Sequence, residues 1–146
     1  MYIIIVNYFK FILFIFVLII SGCGKSDLKN PSLIKKYKGS VSIKLCKGVD
    51  SSGAPQNITR KFSPDDTVYL YALWRGLYGD HITLCLFKDP LGYTVFNTEV
   101  DIKNSNGSQA TWYWFKYNEG DIKKGIWEAY LYIDGKFAGS KEILIR

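Results

Sequence analysis

The spacing of apolar residues along the chain changes character twice. Phe11 to Ile20 is an unbroken apolar run of ten residues. That is the length of an export signal's hydrophobic region and falls short of the roughly 18 to 20 residues of a spanning helix. Residues 21–40 have no sustained period. Beyond residue 40, short β-branched and aromatic runs recur between turn signals, and no i, i+3, i+4, i+7 pattern persists. This predicts an all-β domain with strands at about 41–47, 67–75, 81–88, 93–101, 110–117, 126–133 and 137–145.

The connections agree with that reading. Asp89-Pro90-Leu91-Gly92 has the residues of a type I turn, and Asp134-Gly135 is a two-residue hairpin signal. Phe62-Ser-Pro-Asp-Asp66 halts the chain before the second strand, because Pro64 has no N–H for a ladder and aspartates favour turns. The expected fold is a seven-stranded antiparallel sandwich of immunoglobulin-like type over residues 41–146. Residues 60–146 also resemble bacterial Ig-like modules, which carry F-x-P-x-D before the second strand, D-P-x-G after the third, and G-x-W-x-x-x-x-Y-x-D-G through the last hairpin. Here these are Phe62 to Asp66, Asp89 to Gly92, and Gly125 to Gly135 with Trp127 on the strand. Such motifs meet turn and core requirements, so they imply a fold and name no reaction.

Behind the apolar run, Ile20-Ser21-Gly22-Cys23 resembles the lipobox of bacterial lipoproteins. The resemblance implies that residues 1–22 are a cleaved signal peptide, that Cys23 carries a diacylglyceryl group on its sulfur, and that its new amino terminus is acylated. Two or more acyl chains hold a protein durably on a bilayer. The expected location is the bacterial cell membrane or outer membrane, with the domain outside the cytoplasm. Gly24 stands where enteric-type bacteria place a retaining Asp, which favours the outer membrane or surface. Lys10 is the only charge before the apolar run, and an uncleaved anchor from about Tyr2 to Ile20 is the alternative.

Charge sharpens this picture. Residues 25–47 carry seven lysines against Asp27 alone, a balance of +6, whereas from residue 48 onward 11 Lys and Arg face 12 Asp and Glu, a balance of −1. The basicity belongs to the tether, with residues 23–40 read as lipidated Cys and basic linker. It suits a solvated tether or one lying near anionic headgroups or wall polymers. Nucleic acid is not an expected partner, because the basic residues sit in the linker of an exported chain.

Candidate chemistry is sparse. Cys46 and Cys85 would reach an oxidising compartment, where they either pair or remain buried thiols. His81 is the single histidine, and no flanking motif builds a nucleophilic constellation around it. With no Cys-x-x-Cys or His-x-x-x-His spacing, neither a metal nor another cofactor is expected. Asp65-Asp66 reads as a turn, and Glu99, Glu119, Glu128 and Glu142 are scattered, so no catalytic residues are assigned.

Aromatic residues are 16% of the chain and occupy both faces of some strands. With Val68, Leu70, Ala72 and Trp74 inward, Tyr69 and Tyr71 point out; with Trp112 and Trp114 inward, Tyr113 and Phe115 join them. Tyr69, Tyr71, Tyr113 and Phe115 are therefore the candidate binding face, for an envelope protein or glycan, unless they only stabilise the sheet. The last strand's Lys141 to Ile145 edge is a second candidate. The expected function is a non-catalytic, membrane-anchored interaction module. The alternative is a small inhibitor of a protease or lysozyme, presenting a rigid loop at Asn104 to Gln109 or Asn118 to Lys124.

Overall fold

A computed structural model describes residues 36–117 and 122–146. The leader, Cys23 and most of the linker lie outside the described residues, as do residues 118–121. Seven strands form: β1 (Ser40–Val49), β2 (Pro55–Ile58), β3 (Lys61–Phe62), β4 (Val68–Lys88), β5 (Thr94–Phe115), β6 (Gly125–Ile133) and β7 (Lys136–Ile145). Among the described residues, no helix is long and apolar enough to cross a membrane.

The described residues are all-β as expected, but the seven strands among them are not the expected seven. The runs at 67–75 and 81–88 are one strand, β4, and those at 93–101 and 110–117 are one strand, β5. The intervening Gly76, Gly79, Asn104 and Gly107 all have positive φ. They let the ladder bulge between Arg75 and Leu77 and between Gly79 and His81, so the paired hairpin bends without breaking. β2 and β3 are short and polar in part, and were not predicted.

This long hairpin supplies both layers. The first half of β4 pairs with β1 and with the end of β5; its second half pairs with the start of β5 and with β6, which continues to β7. The strands form one curled sheet in the order β2-β1-β4-β6-β7-β3, with β5 on β4. The sheet is mixed, because β3 runs parallel to β7 through Lys61↔Leu144 and Phe62↔Ile145. A separate pair of purely antiparallel sheets is thus not what the chain builds. Near the start, Lys36 bridges Phe137 and Tyr37 packs edge-on against Trp74 at 5.7 Å. Packing against the β domain accordingly begins ahead of residue 41, at Lys36 and Tyr37.

Aromatic stacking joins the two layers. Phe115 from the first lies 4.8 Å from Phe87 and 5.5 Å from Trp127 of the second, with Phe96 stacked at 4.9 Å. A buried hydroxyl relay crosses beside it. Trp74 Nε1 donates to Thr111 Oγ1 at 2.9 Å, which meets Tyr113 Oη at 3.0 Å. Tyr113 then donates to Thr83 Oγ1 at 2.6 Å, and Thr83 donates to the Val100 carbonyl at 2.9 Å. Since each hydroxyl has one proton, Thr111 must donate to Tyr113. Burial pushes the Tyr113 phenol up to about 12. Among the described residues the buried apolar core runs from Leu45 to Ile145, with Tyr37, Val41 and Ile43 packed against it.

Thr111→Val keeps the shape but leaves the Trp74 N–H buried without an acceptor, and is expected to cost about 1–3 kcal/mol. Phe115→Ala removes the interlayer stack and is expected to cost about 3–5 kcal/mol. Urea unfolding of residues 24–146 measures both, and a Thr111→Val loss of a few tenths or less would contradict the relay's importance.

Candidate functional site

The relay determines which aromatic residues reach the surface. With Thr111, Tyr113 and Phe115 turned inward, alternation puts Trp112 and Trp114 on the outside of β5. Tyr113 and Phe115 are buried at 0% and 2%, while Trp112 and Trp114 are 42% and 55% exposed. The expected face is corrected accordingly: Tyr69 and Tyr71 are half-buried on the outer side, but Tyr113 and Phe115 belong to the core. Trp112 and Trp114 replace them. The clue in the sequence was the polar requirement of Trp74, whose indole N–H needs an inward acceptor that the row of Thr111 and Tyr113 can offer and the row of Trp112 and Trp114 cannot.

Register assembles the outer face. Tyr69 lies opposite Trp114 and Tyr71 opposite Trp112, with Cys46 and Lys44 their partners on β1. The Tyr69 and Trp114 rings are 6.4 Å apart and tilted by 32°, so part of this aromatic surface does serve cross-strand packing. The β1–β2 turn approaches from one side: a Cβ on Gly53 would lie 3.8 Å from Trp112 Cζ3. Asp50 holds that turn by accepting from Ser52 and Ala54 N–H, the Ser52 hydroxyl and the Gln56 amide. These bonds, that of the Ser52 hydroxyl foremost, hold its carboxyl at about 2. What remains open is a Trp pair bordered by Lys44, Arg75 and Lys116, all exposed. It can stack on flat apolar surfaces and attract anions.

The other candidates resolve differently. Cys46 and Cys85 are both free and buried. They cannot pair as they stand, because Cys46 is on the outer side opposite Tyr69 while Cys85 is in the core. Desolvation raises both thiols, which suits inert apolar packing. Residues 104–109 are part of β5 and not a loop, so the inhibitor loop expected there does not exist; the loop at Asn118 to Lys124 falls largely outside the described residues. The β7 edge is capped at Leu144 and Ile145 by β3. Beside it, a cleft of about 520 Å³ is lined by Leu45, Arg60 and Lys141 among others.

His81 ties the bend to the last hairpin. Its Nδ1 is 2.7 Å from Asp134 Oδ2 and its Nε2 is 3.0 Å from the Tyr78 carbonyl. Asp134 and Gly135 both have positive φ, as the expected Asp-Gly hairpin requires, and Asp134 Oδ1 also accepts from Ile82 N–H. With two acceptors around it, the ring is held above the usual histidine range, chiefly by the bond to Asp134. This is a structural pin with no nucleophile attached to it. Among the described residues, no cluster of three or more His, Cys, Asp or Glu could hold a metal. Glu99, Glu128 and Glu142 lie on three different strands.

No protein-family model matches the chain, and no curated protein matches it by sequence. Solved structures do resemble it in shape. An immunoglobulin-like protein from Pseudomonas aeruginosa aligns with a TM-score of 0.44 and 14% identity, covering 76% of this chain and 95% of that one. Part of a β-glucosidase from Listeria innocua, solved with isofagomine, gives a TM-score of 0.46 and 8% identity over 75% of this chain and 16% of that one. Part of an alkylpurine DNA glycosylase from Pseudomonas fluorescens, bound to DNA with an abasic-site analogue, gives 0.44 and 9% over 71% and 30%.

The His81 pin has a definite pH sign. A group whose folded pKa is raised contributes stability that is complete below its unfolded value, about 6.5, and is lost as pH rises through the folded pKa. The pair is partly exposed, so the contribution is about 1 kcal/mol or less. Urea midpoints at pH 5.5 and 8.5 for wild type and His81→Asn check this, with the difference between the two proteins expected to shrink at the higher pH. A difference that grows with pH would contradict it.

Proposed function

We propose that this chain is a bacterial envelope lipoprotein, anchored through acyl groups on Cys23, whose Ig-like domain is a non-catalytic interaction module. The single observation that carries the binding role is the open tryptophan pair, Trp112 and Trp114, on an outer sheet face. Large aromatic side chains left in water on a folded surface mark contact sites more often than packing errors, since they bury much area at little conformational cost on binding. The anchor rests on Ile20-Ser21-Gly22-Cys23 behind the apolar run and on the lysine-rich segment that follows. An envelope protein or glycan would meet the face through stacking on Trp112 and Trp114 and through Lys44, Arg75 and Lys116.

Two measurements test the reading. Labelled palmitate should be incorporated into the wild-type chain and not into Cys23→Ser, which should also leave the membrane fraction. Residues 24–146 should be retained on isolated cell envelope, and Trp112→Ser/Trp114→Ser should weaken retention at least about tenfold, the effect of losing about 1.4 kcal/mol. Equal retention of the two forms would show that the tryptophan face is not the contact surface.

A further inference from the structure

The outer surface of the second layer differs in chemistry from the first. Ile82, Leu84 and Leu86 form an outward apolar stripe on β4, opposite Asp101, Glu99 and Asn97 of β5. On the other side Leu84 faces Tyr132. Ile82, Leu84, Leu86, Glu99 and Tyr132 line a groove of about 420 Å³. Farther along, Glu128 lies opposite Glu142 with Lys88 beside it, and both glutamates line a cleft together with Lys44, Arg60 and Lys141. The groove is thus apolar with Glu99 in its lining and Asp101 beside it, whereas the tryptophan face is aromatic and basic with no carboxylate in its β1, β4 and β5 rows.

We infer that these two surfaces are complementary to each other, and that the partner of the tryptophan face is the acidic groove of a second copy of this chain. The inference deepens the interaction role proposed above and rests on it. Trp112 and Trp114 would cover the Ile82, Leu84 and Leu86 stripe, while Lys44 and Arg75 would meet Glu99 and Asp101. Each side by itself exposes apolar surface: Ile82 is 48% exposed and Trp114 55%. Opposite charge around the two patches favours this pairing and disfavours either patch meeting its own kind. Because the two patches differ and lie on opposite layers, the contact is head-to-tail and does not close at a dimer. Confinement to a membrane would raise the effective concentration at which copies meet.

Sedimentation of residues 24–146 tests this directly, because that chain contains the whole compact unit. The wild type should show a weight-average mass that rises steadily with concentration past the dimer at low salt, and falls back as salt is added. Lys44→Glu/Arg75→Glu and Glu99→Lys/Asp101→Lys alter exposed side chains only, and each should be monomeric with an unchanged circular dichroism spectrum. Mixing the two variants should restore association, since every contact between them again joins opposite charges. A wild type that stays monomeric at millimolar concentration and low salt would overturn the inference, as would variants that associate like the wild type or fail to associate when mixed. A monomer that still loses envelope retention through Trp112→Ser/Trp114→Ser would sink self-association alone and leave the binding face standing.

Discussion

The buried indole N–H of Trp74 is the constraint on which the arrangement depends. A donor placed in the core must find an acceptor or cost about 1–3 kcal/mol, and Thr111 supplies it only if the end of β5 turns Thr111, Tyr113 and Phe115 inward. That requirement propagates. Thr111 needs Tyr113 to take its proton, Tyr113 needs Thr83 across the core, and Thr83 ends the relay on the Val100 carbonyl. The same parity brings Phe115 against Phe87 and Trp127. One polar group therefore links the two layers and decides which surface of β5 water sees.

Much of the fold is legible in the sequence. Alternation along residues 68–75 placed Val68, Leu70, Ala72 and Trp74 inside, and all four are buried. The Asp-Gly hairpin and the Asp89 turn stand where their residue types put them; Asp89 accepts from Leu91 and Tyr93 N–H, and its carbonyl from Gly92 N–H. What alternation could not show was continuity through the glycines. Gly76, Gly79 and Gly107 read as strand ends, yet a positive φ inside a bulge bends a strand as readily as it stops one. The short parallel strand at Lys61–Phe62 is too brief to have a period at all.

The binding face was half legible for a related reason. In residues 110–117 both alternating rows are aromatic, so hydrophobicity alone could not choose between them. Size favoured the tryptophans for the interior, and hydrogen-bond accounting overruled size: the row of Thr111 and Tyr113 satisfies a buried donor, which Trp112 and Trp114, donors only, cannot. The residues left outside are the larger ones, and this explains how a small domain comes to show two tryptophans to solvent. Two free cysteines follow from the same geometry, since Cys46 and Cys85 occupy opposite sides of the sheet.

The relay and the tryptophan face both depend on which residues at the end of β5 point inward and which outward. Hydroxyl-radical footprinting with mass spectrometry measures it residue by residue on residues 24–146. The arrangement described predicts fast oxidation of Trp112 and Trp114, and strong protection of Trp74, Tyr113, Phe115 and Trp127 until the chain unfolds. Reactive Tyr113 and Phe115 beside protected Trp112 and Trp114 would contradict it, and with it both the relay and the tryptophan face.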